Sequence, residues 1–139
     1  MPRPKQNRCV ERPPMMEGFK PFGIPMHNLE PVVLLFEEYE SIRLTDYEGM
    51  TQEQAAGQMK VSRPTFTRIY EKARRSIAQA FVEGKAIFFE GGNFHTDDFW
   101  YRCDRCHKVH IYQTMVKECC HCKSDTMRLL NNKPDNEMY

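Results

Sequence analysis

Several things are missing from this 139-residue chain, and each absence removes a class of function. The longest aliphatic run, Val32 to Phe36, is far too short to span a bilayer, and the N-terminus lacks the apolar core of a signal peptide. We therefore expect no membrane partner and a cytoplasmic location, where thiols are kept reduced. The glycines form neither a phosphate loop nor a dinucleotide fingerprint, and there is no metalloprotease motif or nucleophile elbow. No residue is left as a catalytic candidate, so the expectation is a protein that is not an enzyme. Trp100 and the nine methionines have no cofactor pattern around them and read as packing residues.

The composition that remains, 40% hydrophobic and 28% charged, is normal for a soluble protein with one ordinary domain and one small one. The formal charge of +1 hides an uneven distribution. Seven acids between Glu30 and Glu53 face only Arg43, whereas six bases between Ser62 and Lys85 face Glu71 and Glu83. A basic edge set against an acidic body is an electrostatic footprint for a polyanion.

That basic edge falls in the stretch Thr51 to Phe81, which reads as two helices joined by a tight turn. Thr51 is an N-cap, and Gln54, three residues on, can close a capping box; Ala55, Ala56 and Met59 give a short apolar face. Lys60 and Val61 make the turn, Ser62 caps the second helix, and Pro64 sits in its first turn, where a missing N–H costs little. Phe66, Ile69, Tyr70, Ala73, Ile77, Ala80 and Phe81 recur at helical spacing and are expected to face a core. Arg63, Thr65, Thr67, Arg68, Lys72 and Arg75 fall elsewhere, on a basic, hydroxyl-rich face. This is the arrangement a helix-turn-helix needs, with small residues at the crossing and long donors at the start of the second helix. An ordinary helical hairpin with a solvated charged face is the plainer alternative.

Around this pair, residues 1–31 read as a basic arm, with Arg3 and Lys5 as phosphate contacts, followed by a proline-rich strap. Phe19, Phe22 and Ile24 in the strap are expected to seek a core in their own protein. Residues 32–92 form the helical domain: Val32 to Leu35 is a short strand or a lead-in, and Glu37 to Glu48 is a supporting helix packed through Tyr39, Ile42, Leu44 and Tyr47. Two short helices alone bury too little area to be stable, so a third is required. Ala86 to Glu90 reads as a strand.

The run EEYESIRLTDYEGMTQEQAAGQMKVSRPTFTRIYEKAR resembles region four of bacterial sigma factors. With the opening MPRPK, the phrase FKPFGIP and the continuation ARRSIAQAFVEGKA, residues 1 to about 90 resemble an uncharacterised prokaryotic family of predicted DNA-binding proteins with a sigma-like helix-turn-helix. The resemblance implies a DNA-binding fold in which Ser62 through Arg68 open the recognition helix. It implies no target gene. Most of what sigma factors carry besides region four is absent, so promoter melting is not expected.

A second module, residues 93–131, follows. Cys103, Cys106, Cys119 and Cys122 fit C-x2-C-x12-C-x2-C, a spacing that sets two knuckle turns around one tetrahedral ion. Four thiolates suit one structural Zn²⁺ and leave no position open for substrate. Metal binding then provides much of the module's folding free energy. Arg102, Arg105, Lys108, Lys117 and Lys123 lie close in sequence and are expected to depress the thiol pKa values. Redox-active cysteines or an iron–sulfur site are alternatives, and Cys120, His107, His110 or His121 could replace a ligand. Phe99 to Arg102 and Met127 to Leu130 are expected strands; residues 132–139 have the composition of a disordered tail.

The expected fold is thus mainly α with small β, a sigma-region-four-like helix-turn-helix domain followed by a C-terminal zinc ribbon. The expected function is sequence-specific binding of double-stranded DNA as a transcriptional regulator. One helix-turn-helix covers only a half-site, so a homodimer or a neighbouring partner would complete it. Two other functions stay open: a sigma-like adaptor contacting RNA polymerase, and a zinc- or redox-sensing regulator.

Overall fold

A computed structural model describes residues 8–25, 30–91, 94–95 and 98–130. Arg3, Lys5 and the expected tail lie outside them. Strands β1 (Arg8–Cys9), β2 (Gly18–Phe19) and β3 (Val32–Leu34) precede helix α1 (Phe36–Ile42), whose path continues as a π-helical turn over Arg43–Tyr47. Helices α2 (Gln52–Met59) and α3 (Arg63–Glu83) follow. Then come β4 (Ile87–Phe89), β5 (Phe94–His95), β6 (Phe99–Cys103), β7 (Val109–Tyr112) and β8 (Met127–Leu129).

The helix ends are built as their sequences dictate. Thr51 Oγ1 accepts the Gln54 N–H at 3.1 Å while Gln54 Oε1 accepts the Thr51 N–H at 3.0 Å, a closed capping box. Ser62 Oγ accepts the Thr65 N–H at 3.3 Å and so caps α3. Between the helices, Lys60 turns the chain with a left-handed φ of 56°. Leu44, Ala55, Ala56, Met59, Phe66 and Tyr70 then pack as one buried cluster, with Ile42, Met50 and Val61 against it. Small Ala55 and Ala56 let Phe66 sit directly on α2, and Phe66 is fully buried.

Strands hold the two ends of the helical segment together. β3 runs parallel to β4 and β2 antiparallel to it, giving a sheet in the order β2-β4-β3. A β-carbon at Gly18 would stand 1.9 Å from the Ile87 carbonyl oxygen, so only glycine permits this approach of strap to sheet. In the C-terminal module β7, β6 and β8 form an antiparallel sheet with β6 central. A second buried cluster, Val10, Phe36 and Trp100, joins the N-terminal segment, α1 and β6. The Phe36 and Trp100 rings meet edge to face at 5.8 Å.

Four expectations need correction. The supporting helix is not α-helical to Glu48: Glu48 N–H reaches back to Arg43 O at 2.8 Å, a π spacing, and the wider turn swings Tyr47 out to 80% exposure. Phe81 leaves the core although its neighbour Ala80 is buried: it points about 100° away from Ala80 around the helix, on a flank that nothing covers. Phe19, Phe22 and Ile24 are exposed as well, while Pro13 and Pro14 are the buried part of the strap. Finally, Arg8 to Val10 do not form a free arm. Arg8 and Cys9 pair with Phe94 and His95, and Val10 is buried.

Candidate nucleic-acid interface and metal centre

The acids of α1 do not make an acidic surface. Glu37, Glu38 and Glu40 are all buried, each beside a cation. Arg8 Nε lies 3.9 Å from Glu37, Lys72 Nζ 3.5 Å from Glu38, and Arg43 binds Glu40. Burying a carboxylate is tolerable only with such partners. The uneven charge read from the sequence is thus partly cancelled inside the fold; Glu30, Asp46, Glu48 and Glu53 stay exposed, as do the bases of α3.

The expected contact residues divide into two groups. Arg63, Arg68 and Arg75 are exposed, and the Arg68 guanidinium is tethered: its Nη2 donates to Thr65 Oγ1 at 3.2 Å, and Ser62 Oγ donates to the same oxygen at 2.9 Å. The side chains of Ser62, Thr65 and Arg68 line the start of α3, at the positive end of its dipole, whereas Arg75 lies near the middle of the helix. Thr67 and Lys72 each have a partner on a neighbouring helix, although Lys72 itself is exposed. The Thr67 hydroxyl donates to Gln52 Oε1 at 2.6 Å, and Lys72 neutralises Glu38. Sequence reasoning missed Gln52, which opens α2 beside the start of α3. Its place at the first helical position after the Thr51 cap was the available signal.

The cysteines converge. The Sγ atoms of Cys103, Cys106, Cys119 and Cys122 all lie within 4.8 Å of one another, with Cys103 to Cys122 at 3.5 Å and Cys106 to Cys119 at 3.7 Å. Tetrahedral Zn–S bonds of about 2.3 Å require sulfurs about 3.8 Å apart, and the cluster is close to that. These four cysteines could hold a metal ion.

The two halves of the site are built alike. Cys103 N–H donates to Lys108 O at 3.0 Å and accepts, through its carbonyl, the His107 N–H at 2.8 Å. Cys119 repeats this with Ser124 O at 2.8 Å and the Lys123 N–H at 2.9 Å. His107 and Lys123, each four residues past the first cysteine of its pair, carry matching left-handed φ values of 63° and 64°. Each turn aims amides at sulfur, as with Cys106 N–H to Cys103 at 3.5 Å and His121 N–H to Cys119 at 3.4 Å.

These amides, rather than the basic side chains, set the thiol acidities. The Cys106 N–H pulls Cys103 down to about 6, and the Cys122 N–H lowers Cys119. At Cys106 the pull of the Lys108 amide is outweighed by burial and neighbouring sulfurs, and that thiol rises to about 11. Arg102 does lie beside the ligands, buried, and its Nη1 donates to His107 O at 3.4 Å in the first knuckle and to Met15 O at 3.1 Å, tying the strap to the module. Cys120 is exposed and outside the cluster. It lies 3.5 Å from His110 Nδ1, while His110 Nε2 lies 3.5 Å from Cys119 Sγ, so His110 flanks the site.

Among the described residues no helix is long and apolar enough to cross a membrane. Residues 1–97 match the family described as protein of unknown function DUF134. The chain belongs to that family. Curated relatives bearing the name UPF0251 protein include one from Pelotomaculum thermopropionicum, 51% identical over 106 residues, 76% of this chain and 80% of the relative. One from Thermoanaerobacter pseudethanolicus is 53% identical over 98 residues, 70% of this chain and 83% of the relative. A third, from Moorella thermoacetica, is 47% identical over 128 residues, 91% of this chain and 86% of the relative. The DUF134 match stops short of Cys103, but a likeness over 91% of the chain reaches across all four cysteines. No solved structure matches.

Proposed function

We propose that this DUF134 protein is a sequence-specific DNA-binding protein and a transcriptional regulator, in which α2, the turn at Lys60–Ser62 and α3 act as a helix-turn-helix. The observation that carries the reading is the tethered Arg68. Its guanidinium is held across the first turns of an exposed, basic helix start, so little side-chain freedom is lost when it meets a base. An arginine so placed suits a bidentate contact to guanine in the major groove. Arg63 and Thr65 join it at base edges. Thr67 contributes through Gln52, as the link that fixes α2 against the reading helix. Arg75 and the N-terminal Arg3 and Lys5 neutralise phosphates, and Lys72 does so in exchange for Glu38.

In this reading Cys103, Cys106, Cys119 and Cys122 hold one structural Zn²⁺ in a ribbon. The donor set supports zinc, since four thiolates saturate a tetrahedral ion. The ribbon's β6 carries Trp100 into the cluster with Phe36, so the metal steadies α1, which in turn supports α3.

The test is selection of bound duplexes from a random DNA pool by the purified full chain at fixed salt, with and without a zinc chelator. An enriched motif is expected, weakened when zinc is removed. Binding that is absent, or uniform across sequences and merely salt-sensitive, overturns the DNA reading and turns attention to a protein partner such as RNA polymerase.

A further inference from the structure

α3 ends at Gly84, whose left-handed φ of 68° turns the chain into β4. Its last two turns lie beside the strap. Phe19 and Pro21 from the strap, Ile77, Ala80 and Phe81 from α3, and Ile87 from β4 line a mainly apolar groove of about 350 Å³, to which Lys20 and Lys85 also contribute. Ile24 extends the same surface, since a β-carbon at Gly84 would stand 3.1 Å from its Cδ1. Next to the groove Phe22 is 100% exposed, and Phe81 on its wall is 88% exposed.

An apolar surface this large asks for a cover. At about 150–250 Å² per aromatic side chain, Phe19, Phe22, Phe81 and Ile24 together leave on the order of 500–600 Å² of apolar area in water. That is the upper end of what a monomer normally shows. A stable interface takes about 800 Å² per partner, of which about 65% is apolar in homodimers. The patch therefore supplies the apolar core of one such interface and little more.

We propose that the occupant is a second copy of this chain, packed about a two-fold axis so that Phe22 of each copy enters the groove of the other. A two-fold contact must use one patch that complements itself. Here the protruding ring and the recess that can receive it lie side by side on one patch. The length of α3 permits a matching half-site spacing. At 1.5 Å per residue, Arg63 lies about 27 Å from Phe81 along the helix. Two such helices meeting at their C-terminal ends bring their Arg63 turns to about 34 Å, one turn of DNA, when their axes diverge by about 80°. This spacing argument rests on the DNA reading above; the surface argument does not.

Sedimentation velocity on the full chain over a concentration series tests the inference, with Phe22→Asp, Phe81→Asp and, as a control on an exposed side chain outside the groove, Met15→Asp. All three positions are exposed, so folding should survive, and unchanged circular dichroism checks this. The wild type and Met15→Asp should dimerise alike, and each phenylalanine variant should dimerise at least roughly 30-fold more weakly, the size of a hot-spot loss. A wild type that stays monomeric at every concentration, or a dimer indifferent to both aspartates, overturns it. The two proposals fail separately. A dimer dissolved by both aspartates with no DNA motif enriched upholds this surface and removes the DNA reading, whereas a monomer that enriches a lone half-site does the reverse.

Discussion

Glu40 grips Arg43 with both carboxylate oxygens, Oε1 accepting from Nε at 2.7 Å and Oε2 from Nη2 at 3.0 Å. The carboxylate is almost wholly buried and also accepts the Glu11 N–H at 2.8 Å, so it ties α1 to its own next turn and to the N-terminal segment. Arg43 gains in turn: the Glu40 hydrogen bonds hold its pKa above the ordinary arginine value, against the opposing effect of burial.

Removing one partner of such a pair costs about 3–5 kcal/mol, because the other charge is left buried. Glu40→Ala should fall at the lower end, about 3 kcal/mol, since Glu11 at 3.5 Å and Glu48 at 4.0 Å can take up part of the guanidinium. Urea unfolding followed by far-UV circular dichroism measures it. A loss well under about 1 kcal/mol, the scale of a surface pair, would mean that the fork contributes no more than an exposed ion pair does.

Trp100 is the only tryptophan, is fully buried against Phe36, and lies three residues before Cys103, the first of the four clustered cysteines. Its fluorescence therefore reports whether the ribbon is seated on α1. Chelation should move the emission to longer wavelength, and Zn²⁺ but not Mg²⁺ should restore it, since thiolates favour zinc. Cys103→Ser should show the shifted spectrum without chelator. Emission that stays put under chelation would show that the module packs without metal.

How much of this was legible beforehand depends on the range of the interaction. The caps at Thr51 and Ser62, and the core positions Ala55, Ala56, Met59 and Phe66, are set by neighbours three or four residues away, and these are the features that appeared as expected. The knuckle spacing of the four cysteines was equally local, and their convergence followed it. What escaped depends on distant partners. Glu37 and Glu38 read as surface acids because Arg8 and Lys72, their cations, lie 29 and 34 positions away. Phe81 satisfies helical periodicity, but nothing in its own helix says which flank of its apolar face the rest of the fold leaves uncovered. Tyr47 failed for another reason: a single π turn shifts the phase of every residue after it.

Tyr70 supplies a prediction in pH. Its hydroxyl donates to Asp46 Oδ1 at 2.7 Å, and burial, that hydrogen bond and the Asp46 charge all raise its pKa. A raised pKa means that the unfolded chain releases the proton first, near pH 10. The contribution of this phenol to stability is therefore complete below that value and is lost as pH climbs through the folded one. Tyr70→Phe should be less stable than wild type by about 1–2 kcal/mol at pH 8, and the gap should narrow above about pH 10. Paired denaturation curves at pH 8 and in the alkaline window decide it; a gap that stays constant would place the effect in packing rather than in the proton.

Arg68 and Lys72 lie one helical turn apart, yet they should behave differently. Arg68 is held by another surface side chain and faces water, so Arg68→Ala should leave stability almost unchanged. On an enriched site it should cost roughly 1–3 kcal/mol and relax preference at one base pair. Lys72 sits against the buried Glu38, so Lys72→Ala should lower the unfolding midpoint whether or not DNA is involved. On DNA it should weaken all sequences alike and reduce the salt slope by up to about 1, the release of one phosphate contact. The salt slope separates the two sources of loss: if affinity falls while the slope is unchanged, Lys72 never leaves Glu38 and acts on DNA only by holding α3 against α1. Arg68→Ala binding every site with wild-type affinity and preference would take Arg68 off the reading face, and with it the observation on which the DNA proposal rests.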